Sequence, residues 1–151
     1  MAIDFSHITQ VGFVVKNFDE TVRQWENFLG RKVDRLSTTP DGEKVYLDKE
    51  EDFCCKIGIF KLDNVDIEII SPVRGKSVWQ DFLDETGGGL HHIQFACDKF
   101  AEDKEYIESK VGCMLQMGPS VRGKDYHFAY FDTVNKLGCM AEILNSKEKF
   151  E

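Results

Sequence analysis

Long apolar runs are missing from this chain. No stretch approaches the roughly 18 residues that span a bilayer. Asp4, Lys16, Asp19 and Glu20 interrupt the first apolar residues, so neither a membrane helix nor a secretory signal is expected, and the chain reads as cytoplasmic. Cysteine is sparse and badly spaced: Cys54, Cys55, Cys97, Cys113 and Cys139 are odd in number and show no Cys-x-x-Cys pattern. That argues against a disulfide framework or a zinc knuckle and leaves reduced thiols packed in strands. Positive charge is in deficit, with 19 Lys and Arg against 27 Asp and Glu and a net charge of -8. A phosphate backbone selects basic surfaces, so nucleic acid is not expected as a partner. A small anion can still be met by a local basic pocket.

What the chain does have is an apolar content of 42% in 151 residues, enough to bury the core of one ordinary domain. It also repeats itself. Gln10-Val-Gly-Phe-Val-Val-Lys-Asn-Phe-Asp-Glu returns 82 positions later as His92-Ile-Gln-Phe-Ala-Cys-Asp-Lys-Phe-Ala-Glu, and Gly30 and Gly112 keep the same register. Such an offset is an internal duplication.

The pattern of each copy gives its elements. Val11, Phe13 and Val15 alternate with Gln10, Gly12 and Val14, which is strand period. A helix follows, capped by Asn17 or Asp19, with Val22, Trp25, Phe28 and Leu29 at core spacing and Gly30 as its stop. Strands are predicted over 32–36, 54–62 and 65–70, the last ended by Pro72, with the polar stretch 38–52 as a loop or short hairpin. Residues 73–89 form a helical linker closed by Gly87-Gly88-Gly89. The order then repeats: strand 90–97, helix 101–111, strands 113–117, 126–131 and 138–144. The expectation is an α+β chain, one domain over 1–151 made of two tandem βαβββ modules, about 5–72 and 90–145.

Face alternation gathers four polar side chains. The odd residues of the opening strands are the apolar set, so Gln10 and His92 point to the other face. On the closing strands, Glu68 lies between Ile67 and Ile69, and Glu142 between Ala141 and Ile143, which turns both glutamates to that same side. A carboxylate among aliphatic residues is costly to desolvate unless it is paired or bound to a cation. Two glutamates in symmetric positions therefore suggest a metal site.

The repeated module, the string Gly88-Gly89-Leu90-His91-His92-Ile93-Gln94-Phe95, and the segments Asp66-Ile67-Glu68-Ile69-Ile70-Ser71-Pro72 and Met140-Ala141-Glu142-Ile143-Leu144 resemble the vicinal-oxygen-chelate (glyoxalase/bleomycin resistance/dioxygenase) superfamily over nearly the whole chain. The resemblance implies a cup of curved mixed sheet. Its linker and second module are most similar to methylmalonyl-CoA epimerase. The family's metal ligands fall on Gln10, Glu68, His92 and Glu142. Epimerases usually carry histidine where this chain has Gln10, and the Gln/Glu/His/Glu set looks instead like that of eukaryotic glyoxalase I. That enzyme has an arginine four positions after its glutamine, where this chain has Val14.

Three oxygens and one imidazole suit Co²⁺, Ni²⁺, Mn²⁺ or Zn²⁺. The implied chemistry is removal and return of a proton next to a carbonyl, with the developing oxyanion stabilised by the cation. Glu142 and Glu68 are the expected bases, and the epimerase resemblance adds Asp52, beside Glu51, as a further candidate. Arg122 and Lys124 form a basic turn that could meet a phosphate or carboxylate of an acyl-CoA or thiol-adduct substrate. His91 is expected on the opposite face from His92, as a strand-edge histidine, and His7 likewise away from Gln10. A homodimer is expected from the resemblance. The alternatives are a glyoxalase I-type lyase acting on a hemithioacetal and a metal-free binding protein of the drug-resistance type. Four intact ligand positions argue against the last.

Overall fold

The computed structural model describes residues 3–123 and 125–145. Its elements, in chain order, are β1 (Gln10–Val14), α1 (Phe18–Leu29), β2 (Arg35–Thr38), β3 (Val45–Tyr46), β4 (Lys49–Glu50), β5 (Cys54–Lys61) and β6 (Asp66–Arg74). There follow α2 (Val78–Thr86), β7 (Gly89–Cys97), α3 (Phe100–Lys110), β8 (Met114–Pro119), β9 (His127–Phe131), α4 (Val134–Leu137) and β10 (Met140–Asn145). None of the helices among the described residues is long and apolar enough to cross a membrane, and none of the described cysteines is in a disulfide.

Among the described residues the strands form one curled mixed sheet in the order β2-β5-β6-β1-β7-β10-β9-β8-β3-β4. The duplication is visible in this order. In the first half β1 runs parallel to β6, and in the second β7 runs parallel to β10. The two halves meet where β1 and β7 pair antiparallel at the centre of the sheet. Gln10 then faces Gln94 across the seam, and Gly12 faces His92.

The convex side carries α1 and α3. Phe18 and Val22 of α1 pack with Ile67, Ile69, Val11 and Phe13, while Phe100 and Ile107 of α3 pack with Cys97, Ile143 and Phe131. Helix α1 ends as expected at Gly30, whose φ of 69° suits a residue without Cβ. Trp25 is half-buried on this side, but Phe28 is 80% exposed: Val22, Trp25 and Leu29 fill the buried stripe at helical spacing, and Phe28 lies beside it, edge-on to Trp25.

The concave side has its own core. Trp79 and Leu83 of α2 pack into it with Phe53, Ile57, Ile70, Phe128 and Tyr130, so the linker helix plugs one end of the cup. Ser77 caps α2 by accepting from the Gln80 N–H, and the Gln116 side chain accepts from the Val78 N–H.

The reading of Pro72 as a strand end is corrected, and of the two readings of 38–52 the hairpin holds. Pro72 does not end its strand, which continues to Arg74. Beyond Ile70 β6 has left its β1 neighbour and pairs only with β5, through a register shift between Cys54 and Cys55, and there a missing N–H is tolerated. The 38–52 stretch contains a hairpin, β3 and β4, and β3 pairs with β8 of the other half.

Candidate metal centre

Four neighbouring strands bring Gln10 (β1), Glu68 (β6), His92 (β7) and Glu142 (β10) together on the concave side, each less than 9% exposed. His92 is the hub. Its Nε2 lies 3.0 Å from Gln10 Oε1, 3.3 Å from Glu68 Oε1 and 3.4 Å from Glu142 Oε1. Gln10 also donates from Nε2 to Glu68 Oε2 at 3.2 Å.

His92 can lie there because of Gly12. The imidazole crosses β1 over that residue so closely that a methyl group built on Gly12 would stand 1.9 Å from His92 Cε1 and 2.1 Å from Nε2. The duplication exchanges the two seam pairs, so Gln94 holds in one half the place that Gly12 holds in the other. Gln94 donates to Glu142 Oε1 at 2.9 Å and reaches Gln10 Oε1 at 3.4 Å, and Thr9 donates to its Oε1.

Burial dominates the electrostatics. It pushes the Glu68 carboxyl up to about 8, against the pull of Arg122 and of the Gln10 hydrogen bond. Glu142 is raised well above the usual carboxylate range by burial and by the neighbouring Glu68, opposed by hydrogen bonds from Gln94 and Tyr130. Burial drops His92 to about 3, so its imidazole is neutral and keeps a lone pair.

The donors close on one another, and no ready-made centre of three or more His, Cys, Asp or Glu stands among the described residues. Their chemistry and spacing nevertheless fit a divalent ion. Neighbouring donors on an octahedral ion with bonds of about 2.1 Å stand about 3 Å apart, close to the 3.0–3.4 Å from His92 Nε2 to the three oxygens. Two buried carboxylates beside a neutral imidazole are also short of positive charge.

A cavity lies above these residues. Gln10, Glu68, Gln94 and Glu142 line its polar part, and Ile57, Ile59, Ile70, Trp79 and Phe128 are among its walls. Arg122 also lines it, exposed and paired with Asp66 at 2.8 Å. Tyr130 donates to Glu142 and accepts from Trp79 Nε1 at 3.2 Å, so a buried chain of hydrogen bonds holds the Glu142 carboxyl.

The remaining expected residues separate. Asp52 is an exposed carboxylate bonded to Lys44 and Arg74, outside the cavity lining, and its position gives no support to a role as base. Lys124 lies outside the described residues. His7 is exposed and paired with Asp4. His91 is not a strand-edge residue. The β1–β7 register passes from Gly12↔His92 to Phe13↔Leu90, so His91 is the extra residue of a bulge and its side chain is re-aimed into the interior.

Sequence reasoning passed over Gly12, Gln94, Tyr130 and Trp79. Gln94 carried a signal, being two residues beyond His92 and therefore on the same strand face. The other three depend on register and on where α2 docks.

The family model for the Glyoxalase/Bleomycin resistance/Dioxygenase superfamily matches residues 9–130. An uncharacterized protein of Bacillus subtilis is 22% identical over 142 residues, 94% of each chain. Among solved structures, a hypothetical protein from Bacillus halodurans C-125 superposes with a TM-score of 0.70 at 19% identity, covering 95% of this chain and 96% of that one. A Streptomyces coelicolor methylmalonyl-CoA epimerase variant in complex with 2-nitronate-propionyl-CoA gives 0.66 at 18% identity, covering 93% and 94%.

Proposed function

Because this chain belongs to the Glyoxalase/Bleomycin resistance/Dioxygenase superfamily, we propose that it is a metal-dependent isomerase that removes and returns a proton on the carbon next to a carbonyl, with a 2-substituted acyl-CoA such as methylmalonyl-CoA as substrate. The observation that carries this reading is a pair of buried glutamates, one from each half, that approach a single neutral imidazole at 3.3 and 3.4 Å beneath one cavity.

In this reading Gln10, Glu68, His92 and Glu142 hold a divalent cation. Its chemistry when bound is that of a Lewis acid, lowering the cost of negative charge on a carbonyl oxygen. The rest falls to the protein. A carboxylate raised by burial is a stronger base than one in water, which is what proton abstraction from carbon requires. Glu142 is the better-placed base, since Gln94 and Tyr130 fix its orientation. Glu68 approaches from the other half of the cup and supplies the second proton-transfer group that inversion needs.

Ile57, Ile59 and Ile70 keep the reacting carbon out of water. Arg122 at the lining offers a cation for a carboxylate or phosphate of the substrate. The acyl end would enter at this cavity, with the bulk of a coenzyme A left outside. Resemblance to the epimerase structures supports the substrate class.

The four-ligand set itself favours a glyoxalase I-type lyase as the second reading. Val14 weighs against it, being fully buried in the core and unable to meet a substrate carboxylate.

The test is proton NMR of cobalt-loaded protein in D₂O, following α-proton exchange in the two methylmalonyl-CoA epimers, with metal-free protein and Glu142→Gln as controls. Metal-dependent exchange with inversion, lost in Glu142→Gln, is expected. Absence of exchange at stoichiometric metal would reject the substrate and return attention to hemithioacetals.

A further inference from the structure

The bulge in β7 gives His91 a contact that the proposed chemistry does not use. His91 Nδ1 lies 2.9 Å from His92 Nδ1, on the side of the ring away from the oxygen cluster. His91 is itself only 2% exposed, edge-on to Phe82 at 5.0 Å and to Tyr130 at 5.4 Å, and its Nε2 has no hydrogen-bond partner. A residue serving only to fill this space would be better apolar, since a histidine here leaves a buried polar atom unpartnered. Its one hydrogen bond, to the other ring, is the feature an apolar side chain could not supply.

We propose that His91 is a positioning residue for His92: the Nδ1 to Nδ1 hydrogen bond fixes the orientation and tautomer of the His92 ring, so that its Nε2 lone pair faces Gln10, Glu68 and Glu142 as a ligand for a divalent cation. The inference rests on the reading of those residues as a metal centre.

Two nitrogens 2.9 Å apart hold one proton between them. When His91 Nδ1 carries it, His92 bears its own proton on Nε2, donates to Gln10 Oε1 and has no lone pair to offer. When His92 Nδ1 carries it, Nε2 is bare toward the three oxygens, and His91 bears its other proton on the unpartnered Nε2. Two neutral rings hold two protons in both arrangements, so the exchange needs no net gain or loss of charge. The second arrangement is the ligating one. It is the usual logic of metal sites, in which the far nitrogen of a ligating histidine donates to a neighbour that sets the ring. Here the neighbour is another histidine, brought into place by one inserted residue.

The test compares wild type with His91→Leu, which removes the acceptor, and His91→Asn, whose side-chain oxygen can stand near the position of Nδ1. Zn²⁺ affinity is measured by titration against a competing chelator, and ring tautomers by ¹⁵N-resolved NMR of the Zn²⁺-loaded protein. His91→Leu should weaken Zn²⁺ about 10- to 100-fold, with metal-free protein that melts no lower than wild type, and His91→Asn should recover most of the affinity. Wild type and His91→Asn should show the His92 proton on Nδ1.

Equal affinity in His91→Leu overturns the inference and leaves the metal reading intact. So does a His91→Asn protein as weak as His91→Leu, because shape rather than the acceptor would then matter. Wild type that binds no cation overturns both. Should His91→Leu fail to fold, the wild-type spectrum still decides, since a His92 proton on Nε2 in the Zn²⁺-loaded protein excludes the role.

Discussion

Replacing Gly12 by alanine should evict His92 from the site. Gly12 is not among the glycines with positive φ, so alanine is compatible with its backbone and the effect is steric. The new methyl group would occupy the space of the imidazole Nε2 and Cε1, and a ring cannot share that volume. Either His92 rotates away, giving up its 3.0 Å contact to Gln10 and its 2.9 Å bond to His91, or β1 moves from β7 at the centre of the sheet. Overpacking costs about 1–3 kcal/mol and each lost hydrogen bond about 1 kcal/mol, so metal-free Gly12→Ala should be destabilised by about 3 kcal/mol or more in urea unfolding. One of the four proposed ligands is lost as well. The drop in Co²⁺ affinity by titration calorimetry should exceed the about 100-fold upper range seen on losing an outer-shell partner. A Gly12→Ala protein with wild-type affinity and stability would refute the account of how His92 is seated.

Further predictions concern the charges. In metal-free protein the Glu68 carboxyl is raised from 4.5 to about 8, so the folded state holds a proton that the unfolded chain releases, and this contribution is lost as pH rises through that window. His92, lowered from 6.5 to about 3, acts in the opposite sense below 6.5. The clean interval is therefore pH 6.5 to 8, over which Glu68 alone should cost about 2 kcal/mol and Glu142 adds to it in the same direction. Urea unfolding in chelator should show this fall and a divalent cation should abolish it; stability that rises with pH in chelator would contradict the burial argument. Removing the donor with Gln94→Leu should push Glu142 still higher, moving the acid limb of the pH–rate profile to higher pH, and an unmoved limb would deny the contact a role. Asp52→Asn should keep metal affinity and turnover, because Asp52 is exposed and bonded only to Lys44 and Arg74 among the described residues; a large loss of turnover would restore it as a base.

How much of this was legible in the sequence varies with the range of the interaction. Alternation along β1, β6, β7 and β10 is local, and it was enough to turn Gln10, Glu68, His92 and Glu142 to one side. Gathering them also required those strands to be sheet neighbours, which the duplication suggests but alternation alone does not give. The position of His91 does not follow from the sequence, because strict alternation has no place for an inserted residue and the bulge exists only relative to β1. Gly12 looked like an ordinary strand glycine until its cross-strand partner was known. Pro72 reads as a stop in the sequence because the early end of β1 beside it depends on pairing, not on local preference. The polar 38–52 stretch holds β3, which finds its partner in β8, some seventy residues further on. Asp52 enters only through the epimerase resemblance, and a turn and a bulge separate it from Glu68 along the chain, so no local pattern ties it to the cup.

The central claim is a single cation shared by the two halves of the cup. Crystals of Co²⁺-loaded protein, measured on both sides of the cobalt absorption edge, test it most directly. The account predicts one anomalous peak per chain, ligated by Gln10, Glu68, His92 and Glu142, with His92 its only imidazole. No peak in the cup at full loading, or a peak held by other residues, would contradict it.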